Sequence, residues 1–252
     1  MTFSTADAFL GGRLRLHQPR QGDRAGMDAV LLAAACPARP GEAVLELGCG
    51  NGAAILCLCA RVPGIAATGL ERNPQAAALA RLNAAGNGVA LTVVEGDLGA
   101  MPAVLREAVF DHVIANPPYF GPGTRAADPG RAAARQEETP LAAWIDAALR
   151  RLRPGGSVTV IARADRLADL LGPLAGRAGE IAVLPVAARA GRAAGRVIVG
   201  ARKGRRGALR LLAPLVLHAA PAHLRDCEDL TAQAQAVLRD GGALPLVFNQ
   251  GG

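Results

Sequence analysis

Aromatic side chains are scarce: 3 % of the chain, with one tryptophan, Trp144, one tyrosine, Tyr119, and five phenylalanines. A protein that grips a flat ring has few flat side chains here to do it with, so the lone tyrosine is the first place to look. Lysine is almost missing; Lys203 is the only one, and arginine carries the positive charge. The five cysteines, Cys36, Cys49, Cys57, Cys59 and Cys227, form no CxxC pair. Three lie in apolar segments, where cysteine packs as a small hydrophobe, a usage that fits a reducing cytosol. The four histidines show no metal-ligand spacing, so no metal is expected. No apolar run reaches the roughly 18 residues of a membrane span, and no charged-then-apolar leader is visible. A cytoplasmic protein without a membrane partner is the expectation. There is no internal repeat and no long linker.

What is present is apolar residue, 51 % of 252, enough for a sizeable core and too much for a disordered or fibrous chain. One domain over 1–252 is expected: an N-terminal extension over 1–40, a core over 41–201 and a C-terminal strand and helix over 202–252. The net charge is +7, so a polyanionic partner is a fair expectation, though charge says nothing about fold.

The pattern along the chain alternates. A short strand or hairpin around 13–18 precedes a helix over 28–36. Apolar strands follow at 43–47, 65–70, 91–94, 110–115 and 157–161, with helices at 53–61, 74–85 and 141–151 between them. Arg153-Pro154-Gly155-Gly156 reads as a turn. Strands separated by helices of about ten residues indicate βαβ units and a parallel sheet. The tail differs: β-like runs at 181–186 and 196–201 have no helix between them, so an antiparallel pair is expected. A further β-like stretch over 209–218 is broken by Pro214, and a last helix covers 230–239.

Four segments carry chemistry. Glu46-Leu47-Gly48-Cys49-Gly50-Asn51-Gly52 leaves the first core strand and opens a helix. Glycines allow a tight turn and a close ligand approach, and the helix beyond presents unpaired N–H groups. Glu46, Gly48, Cys49 and Gly50 are the candidates there. Gly48, Gly50 and Ala53 also satisfy the dinucleotide pattern, which leaves a nicotinamide dehydrogenase open at this point. Glu71 ends the next strand, where a carboxylate can accept both ribose hydroxyls of a nucleoside, or cap a helix. Asp97 ends the third; it can accept from an adenine amino group, or serve as an N-cap.

The fourth segment, Asn116-Pro117-Pro118-Tyr119, is the most telling. An amino group on a planar sp² carbon is a poor nucleophile, because its lone pair is delocalised into the ring. Two acceptors that bind both N–H bonds push the nitrogen toward sp³ and free the pair. The Asn116 side-chain carbonyl offers one, and the Pro117 main-chain carbonyl the other. Two prolines fix φ and stiffen the loop, so the acceptors are preorganised. Tyr119, with Phe120 beside it, offers a face for the flat target. Asn116, Pro117 and Tyr119 are the catalytic candidates; Pro118, Tyr119 and Phe120 are expected to hold the substrate.

With these motifs in this order, the sequence resembles the class I S-adenosylmethionine-dependent methyltransferases of the "methyltransferase small" group. Within that group it is similar to bacterial tRNA adenine-N6 methyltransferases. The shared segments include Phe9 to Arg13, Gly26 to Leu32, Arg196 to Val199 and Lys203-Gly204. The resemblance implies an α/β, Rossmann-like fold: a seven-stranded, mainly parallel sheet with an antiparallel last strand, flanked by helices. It implies S-adenosyl-L-methionine as cofactor and tRNA as partner, bound by a monomer. It places Asp28 near the methionine end of the cofactor, Arg72 and Leu98 on its adenine, and Asn116 in contact with it. A protein glutamine N5-methyltransferase and an rRNA guanine-N2 methyltransferase share the Asn-Pro-Pro-Tyr motif and stand as alternatives.

One more stretch is expected to touch substrate. Arg189, Arg192, Arg196, Arg202, Lys203, Arg205, Arg206 and Arg210 occur with no acid among them. Arg189, Arg192, Arg196 and Lys203 are the phosphate-binding candidates, with a solvated strand edge as the plainer reading.

Overall fold

The computed structural model describes residues 4–20, 24–118, 139–220 and 229–246. Tyr119 and Phe120 lie outside the described residues. Strands β3 (Ala43–Leu47), β4 (Ala66–Glu71), β5 (Leu91–Glu95), β6 (Phe110–Ala115) and β7 (Leu152–Arg163) run parallel. β9 (Arg196–Lys203) runs antiparallel between β7 and β8 (Ala178–Arg189). The order is β8-β9-β7-β6-β3-β4-β5, the expected seven strands with the last one reversed. Two short strands, β10 (Arg210–Leu211) and β11 (Leu215–His218), add to the free edge of β8, so the sheet holds nine strands among the described residues. They are separate strands because Pro214 interrupts the run, as its missing N–H requires.

Period-two alternation sorts the sheet into two faces. Val44, Ile114, Ile161 and Ile198 pack on one side, under helices α1 (Met27–Ala35) and α2 (Ala53–Arg61). Leu45, Leu47, Val113, Ala115, Val158, Val160, Val197 and Val199 pack on the other. That second face is covered by α5 (Leu141–Arg151) and α6 (Leu167–Leu174). α1 is apolar almost all round, as a fully covered helix must be: 29–35 are all buried. α3 (Pro74–Gly86) starts where Asn73 caps it through the amides of Gln75 and Ala76. Two elements, α4 (Ala103–Glu107) and α6, had no sequence signal; α4 has five residues, and α6 contains Pro173. The final helix, α7 (Ala232–Leu238), begins at Thr231, whose hydroxyl accepts from the Ala234 amide.

The turn expected at Arg153–Gly156 is instead an irregularity inside β7. Leu152 pairs with Phe110 and the ladder resumes at Ser157 opposite His112, so the intervening residues bulge out. Pro-Gly-Gly is turn chemistry, but the neighbouring strand keeps the segment in the sheet.

The N-terminal hairpin, β1 (Ser4–Phe9) and β2 (Leu14–Pro19), packs outside the sheet. It is attached through amide side chains. The Arg15 amide donates to Asn87 Oδ1 at 3.0 Å and Asn87 Nδ2 donates back to the Arg15 carbonyl at 2.8 Å. Asn83 treats His17 the same way, at 2.6 and 3.0 Å. The two spacings match: four residues of helix advance about 6 Å, and two residues of strand about 6.7 Å. Asparagines at i and i+4 on α3 therefore imitate the edge of a neighbouring strand. Asn83 Nδ2 also donates to the Asn51 carbonyl, which ties the hairpin to the glycine-rich loop. Asn83→Leu, similar in volume but with no amide, should cost about 1–3 kcal/mol by orphaning the His17 groups. Thermal melting of the variant checks this, and an unchanged midpoint would show that the pairing contributes nothing.

Candidate functional site

Four parallel strands end at one level. Leu47 lies opposite Leu70 and Ala115, and Glu71 opposite Glu95. The residues that follow, Gly48, Arg72, Gly96-Asp97 and Asn116, consequently form one row along the carboxyl ends of β3, β4, β5 and β6. The row crosses the point where strand order reverses, between β3 and β6, the usual crevice of open α/β sheets. Three strand spacings make it about 14 Å long. Beside it opens a cleft of about 870 Å³ lined by Arg72, Asn73, Pro74, Gln75, Gly96 and Asp97.

Glu46 and Val44 share a face of β3, which aims Glu46 at the start of α2. Gly52 caps that helix without a side chain, and Glu46 Oε2 supplies what is missing by accepting from the Ile55 amide at 2.9 Å. Glu46 is 3 % exposed, and burial pushes its pKa up to about 8, with the Glu71 carboxylate adding to the rise. It therefore holds its proton at neutral pH.

Glu71 uses both oxygens. Oε2 accepts from the Gly50 amide and Oε1 from the Asn73 amide, each at 2.8 Å. One carboxylate thus joins the first glycine-rich turn to the second strand–helix turn. Its remaining lone pairs are available to a hydroxyl pair. Asp97 Oδ1 accepts from the Gly99 amide at 2.7 Å and caps a 3-10 turn over Leu98–Ala100. The capping alternative is therefore realised by one oxygen, while Asp97 still lines the cleft.

Gly48 and Gly50 fulfil the two glycine roles separately. Gly48 has φ +63°, and a Cβ there would lie 2.6 Å from the Trp144 ring. The lone tryptophan is thus the floor of the loop. Gly50 has φ +55° and open space where a Cβ would be, so ligand can approach its backbone. Cys49 is buried, and its thiol pKa is raised by desolvation, so it is a packing residue without nucleophilic character. Asn116 is half-buried, Pro117 buried and Pro118 exposed. Asp28 stands in the first turn of α1, paired with Arg196.

The basic stretch is not one surface. Arg196 Nε bonds Asp28 Oδ2 at 3.0 Å. Arg189 pairs with Asp229 at 2.8 Å and also bonds the Ala220 carbonyl. Arg189 and then His218 hold the Asp229 pKa down to about 2. Lys203 Nζ donates to the Leu152 carbonyl at 2.6 Å. Three of the four phosphate candidates are therefore committed within the fold, and only Arg192 stands exposed. Lys203 lies at the end of β9 beside the start of β8, level with the starts of the parallel strands, whereas Asn116 follows the carboxyl end of β6.

An open cleft at a switch point, a glycine cradle and acidic strand ends fit a nucleoside with a charged tail. With the Asn-Pro-Pro turn beside them, they define a class I S-adenosylmethionine-dependent methyltransferase. The chain belongs to the methyltransferase small domain family, whose sequence profile matches residues 23–174. It is 34 % identical over 173 residues to the tRNA1(Val) (adenine(37)-N6)-methyltransferase of Porphyromonas gingivalis, covering 65 % of this chain and 68 % of that protein. It is 34 % identical over 188 residues to the enzyme of the same name from Dickeya chrysanthemi, covering 72 % and 73 %. Among solved structures, a predicted O-methyltransferase from Agrobacterium tumefaciens superposes with a TM-score of 0.70 at 27 % identity, over 87 % of this chain and 99 % of that one. The Thermus thermophilus 16S rRNA N2 G1207 methyltransferase, in complex with AdoMet and guanosine, shares the fold at a TM-score of 0.56 and 19 % identity, over 79 % and 50 %. No helix among the described residues is long and apolar enough to cross a membrane.

Glu46 sets a pH dependence. A folded pKa raised above the ordinary carboxylate range favours the protonated form. Its stabilising share is complete in acid, below about pH 4, and is lost as pH rises through about 8. Glu46→Gln should melt higher than the parent at pH 9 and vary less between pH 5 and 9. Parallel melting curves for the two proteins would refute this.

Proposed function

We propose that this methyltransferase acts on the exocyclic N6 of an adenine in tRNA. The observation that carries the reading is the position of Asn116-Pro117-Pro118 at the carboxyl end of β6, next to the glycine-rich turn after β3. The names of the tRNA-modifying relatives support the substrate class.

S-adenosylmethionine, when bound, supplies an electrophilic methyl group on a sulfonium. The chain's own residues do the rest. The Gly48 to Gly50 backbone and Glu71 hold the nucleoside part, with Arg72, Asp97 and Leu98 on the adenine side. Asp28, held by Arg196, stands toward the charged tail. The Asn116 side-chain carbonyl and the Pro117 main-chain carbonyl accept hydrogen bonds from the two N6 N–H groups and orient the nitrogen lone pair along the line of transfer. With the cofactor bound, these acceptors would hold the nitrogen toward the methyl group, and the surplus proton of the methylated nitrogen would pass to water. No base of shifted pKa is needed, because the proton departs after transfer. Tyr119 stacks the target ring, with Phe120 and Pro118 beside it.

The test uses labelled S-adenosylmethionine and total tRNA from a strain lacking the protein, followed by digestion to nucleosides. Label in N6-methyladenosine supports the reading; label in N2-methylguanosine, or only in protein glutamine, overturns it. Asn116→Ala should lower turnover by about 10²–10³ with cofactor affinity little changed. Calorimetric titration with S-adenosylmethionine measures that affinity. Wild-type turnover in the variant would remove Asn116 from the mechanism.

A further inference from the structure

We propose that Arg205 and Arg206, in the turn after β9, bind backbone phosphates of the RNA substrate at a point remote from the acceptor base. This rests on the reading of tRNA as substrate.

The argument begins with the way β9 divides the basic stretch. Arg163 lies opposite Arg196, and Ser157 opposite Arg202. Arg196 is therefore level with the carboxyl ends of the parallel strands, while Arg202 and Lys203 are level with their starts. Eight residues of strand separate the two ends by about 23 Å.

At the far end the inner cations are spoken for. Arg202 bonds the Gly155 carbonyl and lies 3.5 Å from Glu180. Lys203 bonds the Leu152 carbonyl. The nearby acids are also taken: Asp111 pairs with Arg153, and Asp146 with Arg150 and Arg177. Arg205 and Arg206 follow at once, both exposed, in a turn whose Gly204 has φ +67°. Neither has a side-chain ion pair among the described residues. They are two adjacent exposed cations at a strand end whose own charges are already satisfied, with the Arg205 guanidinium lying over Gly155.

The distance gives the site its meaning. Five residues along β9 and two strand spacings across separate the Asn116 level from this turn, about 20 Å in all. A base in the catalytic crevice does not reach it. A backbone running on from that base does, once it extends several nucleotides beyond it. Phosphates are the suited ligand because the turn has no aromatic side chain for base readout. The consequence is selection by size: an RNA that spans the sheet engages both ends, and an oligonucleotide of a few residues engages only the crevice.

The test compares the parent with Arg205→Gln/Arg206→Gln, a double substitution of exposed residues outside the catalytic machinery. Affinity for an unmodified tRNA transcript is measured between 50 and 200 mM salt, and again for a trinucleotide centred on the same adenine, too short to reach the turn. Losing two phosphate contacts should reduce the salt slope by about 1.4–1.8, so that the parent's advantage shrinks about 7- to 12-fold over that range. Trinucleotide affinity should be the same for both proteins. Equal slopes on tRNA overturn the proposal. So does a loss confined to vesicles of phosphatidylglycerol, which would assign the turn to a membrane surface. If tRNA is bound with the expected slopes but never methylated, the substrate reading fails while the phosphate site stands.

Discussion

One carboxylate holds the catalytic end of the molecule together. Glu71 sits at the last position of β4, bonded to the Gly50 amide on one side and the Asn73 amide on the other. The first bond fixes a loop whose glycines have positive φ and little conformational preference of their own. The second fixes the entrance of α3. A side chain that only capped its own helix would leave the glycine-rich turn free to move. Here one side chain fixes both turns at the carboxyl end of the sheet.

The N-terminal hairpin extends this restraint from outside the sheet. Gln18 accepts from the Ala25 amide and from Asn51 Nδ2, and donates to Asp7, which also pairs with Arg24. Asn51 belongs to the glycine-rich turn, and Ala25 leads into the segment of Asp28. A hairpin that contributes no strand to the main sheet thereby connects both sides of the crevice. The connection works because the amides of Asn83 and Asn87 present peptide-like donor and acceptor pairs at the repeat of a strand edge. Buried amides are costly unless every group is satisfied, so such a network fixes one arrangement and penalises others.

Local patterns made much of this readable from sequence. Alternation and glycine or proline punctuation placed α2, α5 and β6 at their observed bounds. The four motifs fell on strand ends because a motif of this kind needs a strand before it and a helix or turn after it. The partners of those motifs were not readable. Asn83 meets His17 across 66 residues, Arg196 meets Asp28 across 168, and Lys203 meets Leu152 across 51. No local pattern encodes such pairs. The bulge in β7 is hidden for a related reason: Pro-Gly-Gly has the composition of a turn, and only the adjacent strand shows that pairing resumes beyond it.

The basic stretch shows how far charge can be read without a fold. A cluster in sequence becomes a patch in space only if its segment is compact, as in a loop or along one helix face. An extended strand does the opposite. It carries successive charges from one end of the sheet to the other and alternates them between faces. β9 separates Arg196 from Lys203 by its whole length, and each then finds a partner on a neighbouring element. The net charge of +7 therefore does not act as a single field at the catalytic crevice. It acts where pairing is incomplete, at the exposed turns beyond the two ends of the strand. An RNA held at both ends would lie across the sheet edge with its target base delivered to Asn116, and the backbone, more than the base, would supply most of the affinity.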